Sequence, residues 1–242
     1  MAIDSVVIGF GYRARSGKDT AVAEIIKQRG LVPALQGWPH STQGGSGFLE
    51  RYDIRKYSFA DALRREVDAE YRKAGGVEKV FAPNYCFAKK GYVVTLPDWV
   101  KYDPNGEVNE QYPLGKQCTL LQWWGTEYKR ADDDDYWVRQ LAQQIELEKP
   151  AIACITDMRF PNEFSFCEQY GETVLVDKHD LPPSTHASET ALAGKSPEDW
   201  SLILDNNGTL EQFLEGAVTA FDELMINFPF GYNKLKETVS AN

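Results

Sequence analysis

The stretch Arg13-Ala14-Arg15-Ser16-Gly17-Lys18-Asp19-Thr20 constrains this chain more than any other. It follows an apolar run, Val6-Val7-Ile8-Gly9-Phe10, and precedes a helical pattern with Val22, Ile25 and Ile26 on one face. A strand, a glycine-containing loop and a Gly-Lys pair opening a helix form the context that a phosphate-binding P-loop requires. Backbone N–H groups in such a loop and at the helix start have no intrahelical partners, so they can point at an anion. Gly17 lets the backbone approach phosphates without a Cβ in the way. Lys18 adds a full positive charge where β- and γ-phosphates would lie. Two positions depart from the pattern. Tyr12 stands where a glycine is usual, with Gly9 and Gly11 just upstream, so the loop reads as one residue longer. Asp19 follows the lysine in place of Ser or Thr, and the hydroxyl comes only at Thr20, which displaces the usual Mg²⁺ ligand.

The formal net charge of −10 argues against broad, sequence-independent nucleic-acid binding, which needs a basic surface to displace counterions. It leaves room for a nucleotide, because a few Arg and Lys side chains converging on one cleft suffice. No apolar run approaches the ~20 residues of a membrane span. The N-terminus lacks a basic region followed by a long apolar segment, so neither signal peptide nor membrane is expected. Cys86, Cys118, Cys154 and Cys167 are widely spaced and form no Cys/His metal pattern, which suggests reduced thiols and a cytoplasmic location.

Read in order, residues 5–10 form a buried strand and 18–29 a helix, and the Pro- and Gly-rich stretch 31–50 is a loop. Arg55 to Ala60 reads as a second strand, followed by a helix from Asp61 to about Lys73. Residues 92–96 suggest a strand, and Asp103-Pro104-Asn105-Gly106 a turn, read as a hairpin tip. A short helix over 119–127 is expected to end near Gly125. The run Asp132 to Asp135 reads as a helix start, where caps and negative charge are favoured, before the stripe Trp137, Leu141, Ile145. Residues 150–157 form an apolar strand ending in Asp157, and a helix through Phe164 and Cys167 ends at Gly171. Residues 173–177 and 200–205 are the last strands, with a polar segment over 178–200 between them. Asn206-Asn207-Gly208 is a turn, and Thr209 with Gln212 makes a capping box before a long amphipathic helix. About five strands alternating with helices give an α/β domain with a parallel sheet. Right-handed crossovers then bring the loop at 13–20, Asp157, Arg159 and the 206–208 turn to one edge.

Six short motifs occur in the order that resembles the deoxynucleoside monophosphate kinases of bacteriophages. They are Arg15 to Thr20, Ser58 to Leu63, Leu121 to Glu127, Thr156 to Glu163, His186 to Glu189 and Asn207 to Thr209. The resemblance covers about residues 5–220, leaving out the 31–50 loop and the 75–118 region. It implies a P-loop NTPase three-layer fold in one domain over 1–242, with a helical acceptor-binding insertion at 61–146 and a lid at 179–199. It further implies ATP- and Mg²⁺-dependent phosphoryl transfer to a deoxynucleoside monophosphate, with neither nucleic-acid nor membrane partners and a homodimer as an open expectation. Another kinase of the same fold, acting on phosphomevalonate or dephospho-coenzyme A, and a non-catalytic nucleotide sensor remain alternatives.

On that reading Arg15, Ser16, Gly17, Lys18, Asp19 and Thr20 hold the donor phosphates, and Asn207 and Gly208 border the adenine. Lys18, Arg130, Asp157 and Arg159 are the catalytic candidates, and Asp157, with Asp19 as its rival, organises the metal. Asp61, Arg64, Arg65, Trp124, Arg130, Arg159 and Glu163 are candidates for the acceptor site. Arginine suits bidentate phosphate contacts. Trp123 or Trp124 either stacks on the acceptor base or packs in the core.

Overall fold

The computed structural model describes residues 3–31, 52–89, 91–183 and 185–227. The loop expected over 31–50 lies outside them from residue 32 onward, as does the C-terminal stretch from residue 228. In chain order the elements are β1 (Val6–Gly11), α1 (Lys18–Arg29), β2 (Ile54–Tyr57), α2 (Ala60–Ala74), α3 (Val77–Val80), β3 (Phe87–Lys89), β4 (Tyr92–Val94) and α4 (Cys118–Gln122). A π-helical stretch, Trp123–Arg130, follows, then α5 (Tyr136–Glu148), β5 (Ile152–Met158), α6 (Pro161–Tyr170), β6 (Gly171–Asp177) and α7 (Ala187–Thr190). A 3₁₀ turn at Pro197–Asp199, β7 (Leu202–Asp205) and α8 (Leu210–Asn227) complete the series. The chain divides into two compact units, Met1–Ser58 with Ala142–Asn242, and Phe59–Leu141.

The first unit is α/β. Its five strands are all parallel, in the order β2-β5-β1-β6-β7, so β1 lies between strands that come far later in the sequence. Strand side chains alternate between faces, and β1 uses both. Val6, Ile8 and Phe10 join Ile152, Cys154, Val174, Val176 and Leu204 in one core with Val22 and Ile25 of α1 and Phe213, Ala217 and Phe221 of α8. On the opposite face a Cβ at Gly9 would lie 2.5 Å from Cys167 Sγ of α6 and 2.8 Å from Met158 Sδ. Helices therefore flank the sheet on both sides, and glycine at position 9 lets α6 come close. A sheet covered on both faces explains why β1 and β5 read as continuous apolar runs. With all strands parallel, the loops after β1, β2, β5, β6 and β7 share the carboxyl edge.

The second unit packs around aromatic rings. Phe87 contacts Trp123 and Trp124 at centroid distances of 5.2 and 5.5 Å, and Trp123 stacks on Tyr128 at 4.9 Å. The helix does not end near Gly125 but continues, with π-helical bonding, to Arg130. Gly125 serves a close approach instead: a Cβ there would meet Leu63 Cδ2 of α2 at 3.2 Å, and its carbonyl accepts the Trp137 indole N–H at 2.8 Å. The strand expected over 92–96 is shorter, Tyr92–Val94, and pairs antiparallel with β3. The turn at Asp103–Gly106 closes through the Gly106 N–H on the Asp103 carbonyl at 3.2 Å, but neither named strand adjoins it, so it is not a hairpin tip between strands. Three of the four aspartates before α5 are matched with cations: Asp132 with Lys89 at 3.2 Å, Asp133 with Arg139 at 2.9 Å and Asp134 with Arg130 at 3.5 Å. Among the described residues no group of three His, Cys, Asp or Glu side chains could hold a metal. No helix among them is long and apolar enough to cross a membrane.

The Gly9 contact sets a stability test. Gly9→Ala should destabilise the protein by roughly 1–3 kcal/mol through overpacking, measured as a lower urea midpoint. Cys167→Ala in that background should recover part of the loss, a positive coupling that a purely local backbone effect would not give.

Candidate functional site

Two residues of the loop after β1 adopt left-handed backbone, Arg15 at φ 63° and Gly17 at φ 103°. Gly17 is required twice over. Its φ favours glycine, and a Cβ would sit 2.6 Å from Asn206 Nδ2 and 3.0 Å from Phe213 Cζ. Asn206, in the turn after β7, donates its side-chain N–H to the Ser16 carbonyl at 2.7 Å, which fixes the loop's shape from a different strand end. Tyr12 also finds its place. Its ring stacks on Trp200 with centroids 6.3 Å apart, and a Cβ on Gly11 would overlap that same indole. The tyrosine at a usual glycine position is thus packed sideways, while Gly11 provides the clearance.

Lys18 opens α1 and is only 5% exposed. Its ammonium donates to the Arg13 carbonyl and to Ser16 Oγ, the latter at 3.2 Å. Burial pushes its pKa down to about 8, helped by the positive charge of Arg159; Asp157, Glu189 and Asp19 act in the opposite sense. The ammonium is thus set among three carboxylates and one guanidinium.

Those neighbours come from other strand ends. Arg159, just past β5, pairs with the Glu189 carboxylate of α7. Glu189 also accepts the Ala14 backbone N–H at 2.7 Å. Arg13 donates to the Leu181 and Pro182 carbonyls at 3.2 and 2.9 Å, tying the loop after β1 to the segment after β6. Asp157 accepts the Ser58 hydroxyl at 2.5 Å. Asp19, exposed in the first turn of α1 with Thr20, accepts Lys56 at 3.3 Å and the Thr156 hydroxyl at 3.1 Å. Asp157 and Asp19 are thus each bonded by a hydroxyl, and carboxylate oxygens of this kind are the ligands that a hard cation such as Mg²⁺ takes.

Glu163 is buried at the start of α6, where it accepts the backbone N–H groups of Arg159 at 2.7 Å and Phe160 at 3.1 Å. It positions the Arg159 backbone rather than facing open space. The Asn207 side chain links strand ends, donating to Asp205 at 2.6 Å and accepting from the His179 N–H at 2.8 Å, with Gly208 next in the turn. Asp61, Arg64, Arg65, Trp124 and Arg130 belong to the second unit. Arg64 pairs with Asp61 and lies over the Tyr112 ring at 5.5 Å, and Arg65 is exposed. Arg130 is buried and donates to the Asp134 carbonyl at 2.8 Å. Trp124 is 4% exposed with its indole N–H on Glu66 at 3.0 Å, so of its two readings the core aromatic is the one observed.

Arg13, Ser58, Thr156, Glu189 and Asn206 are the participants that individual residue types did not single out. Ser58, Thr156, Glu189 and Asn206 lie within or beside the short motifs quoted above; Arg13 had no signal beyond its place in the loop. Chemically the arrangement offers cations and a backbone turn suited to phosphoryl oxygens, beside carboxylates suited to a hard cation. No family model and no curated protein matches the chain.

The lowered Lys18 pKa predicts a pH signature. Between about pH 8 and the ordinary value of 10.5 the unfolded chain binds the proton that the folded site has released. Folding stability from this group therefore rises with pH across that window, and the full penalty is present below it. Against Lys18→Met, the wild-type protein should gain about 3 kcal/mol between pH 7 and 10.5, measured as the difference in urea unfolding free energies. A constant difference would refute the buried charge.

Proposed function

We propose that this protein is a P-loop kinase that transfers the γ-phosphoryl group of ATP to a deoxynucleoside 5′-monophosphate. The observation that carries the reading is Lys18, buried at the first position of α1 behind a left-handed Gly17, with Arg159 close enough at the end of β5 to depress its pKa. A lysine at this point and an arginine from an adjacent strand end are what a triphosphate needs at its β- and γ-phosphates. The ordered motif resemblance extends the reading from phosphate binding to transfer.

The chemistry asks little covalent help from the protein. An oxygen of the acceptor's phosphate attacks the γ-phosphorus, the bond to the β–γ bridging oxygen breaks, and ADP leaves with that oxygen's electron pair. The nucleophile is already anionic at neutral pH, so no general base is required. Lys18 neutralises charge on the β- and γ-phosphoryl oxygens, and the backbone of Ser16 to Thr20 orients them. Arg159 stabilises the charge spread over the transferred group, its backbone fixed by Glu163. Asp157 and Asp19 would hold Mg²⁺, which supplies charge neutralisation to the phosphates when bound. The roles of Asp61, Arg64 and Arg65 toward the acceptor phosphate, and of Asn207 and Gly208 beside the adenine, rest on the resemblance.

The decisive assay is ADP formation with ATP and Mg²⁺ against a panel of deoxynucleoside monophosphates, with phosphomevalonate and dephospho-coenzyme A as competing acceptors. Turnover with at least one deoxynucleotide is expected. Turnover only with a non-nucleotide acceptor moves the protein to another kinase class, and ATP binding without acceptor-dependent turnover makes it a sensor. Lys18→Ala should lower kcat/KM by about a hundredfold or more with circular dichroism unchanged; undiminished turnover removes Lys18 from its role.

A further inference from the structure

Glu189 takes up, within this chain, the two kinds of group that a phosphate would seek. One carboxylate oxygen accepts the Ala14 N–H of the loop after β1, at 2.7 Å, and the other is paired with the Arg159 guanidinium. Its negative charge is also felt by Lys18. A carboxylate and a phosphoryl group compete for the same partners, because both are anions that accept N–H and guanidinium bonds in bidentate fashion. The side chain is 15% exposed, so these bonds form in a partly desolvated site where charge pairing is stronger than at an open surface. Arg13, one residue before Ala14, holds the Leu181 and Pro182 carbonyls, so the loop is fastened to the segment before α7 at a second point.

We infer that Glu189 is a resident anion of the phosphate site: it holds Arg159 and the Ala14 N–H in the ligand-free protein and is displaced by the polyphosphate of the incoming nucleotide. This rests on the reading of the loop as a phosphate site. Displacement transfers Arg159 from an internal carboxylate to the ligand, so Arg159 is pre-positioned but engaged until a competing anion arrives. The affinity for polyphosphate is set below what Lys18 and Arg159 could give alone, in proportion to what it takes to dislodge Glu189. Glu189 is accordingly a positioning residue.

The test is calorimetric binding of inorganic tripolyphosphate to the full chain at fixed pH and ionic strength, with no acceptor present. Removing the competitor, as Glu189→Gln and as Glu189→Ala, should tighten binding about tenfold. Glu198→Gln, an exposed acid of the same region, should leave it unchanged. A role confined to holding the structure together would weaken binding or leave it alone, never strengthen it. Unchanged or weaker binding in both Glu189 variants, with the wild type binding, overturns the inference and leaves the phosphate-site reading standing. Failure of wild type and variants alike to bind overturns both. In the wild-type protein, tripolyphosphate should also shift the Ala14 amide and the Glu189 carboxyl carbon resonances. Binding that moves neither overturns the inference even if a variant fails to fold.

Discussion

A lysine ammonium held almost entirely out of water is the constraint on which the rest of the carboxyl edge depends. Burying such a charge is costly unless polar and oppositely charged groups surround it. Around Lys18 the chain places the Arg13 carbonyl and Ser16 hydroxyl at short range and three carboxylates somewhat further out. The carboxylates come from α1, from the end of β5 and from α7, so the ammonium is accommodated only when distant segments are all in place. Arg159 works against it and lowers its pKa. Two like charges are thus kept near one another and balanced by carboxylates from three different segments.

The parallel sheet makes this convergence unavoidable. Because β1 carries Val6, Ile8 and Phe10 on one face and Gly9 on the other, α6 can approach it closely at Gly9 while α1 and α8 fill the opposite side. The loop after β1 then leaves the central strand of the sheet. Its shape is fixed from β7 through Asn206 and from the Trp200 ring through Tyr12.

The sequence was most informative where local periodicity and chemistry coincide. The β1–loop–α1 unit, the apolar β5 and the Thr209–Gln212 capping box were all readable, the last made by bonds of 2.9 and 3.2 Å. It was least informative where one segment's meaning depends on another that approaches it. Gly125 looked like a helix end, yet its role comes from Leu63 and Trp137, which no local pattern links to it. Trp124 carried the same letters whether it faced a base or a core. Glu163 read as a substrate group, but its carboxylate closes the start of α6. Glu189 lay inside a recognisable motif, yet only the arrangement of strand ends shows which cation it meets. Side-chain chemistry is legible in a sequence; the identity of the neighbour across space is not.

The position of β1 also bears on how the chain comes to be folded. Strand β1 pairs with β5 and β6, and both partners lie more than a hundred residues downstream, as the pairings Val6 with Ile152 and Val7 with Gly171 show. Its apolar surface must wait until those partners have been made, whereas the contacts within Phe59–Leu141 are available earlier. Sheets assembled from such remote strands form slowly and leave strand edges open meanwhile. For this protein the vulnerable interval is the one before Asp177 has emerged, and a partner that shields Val6 to Gly11 during it would act on yield without touching the finished site.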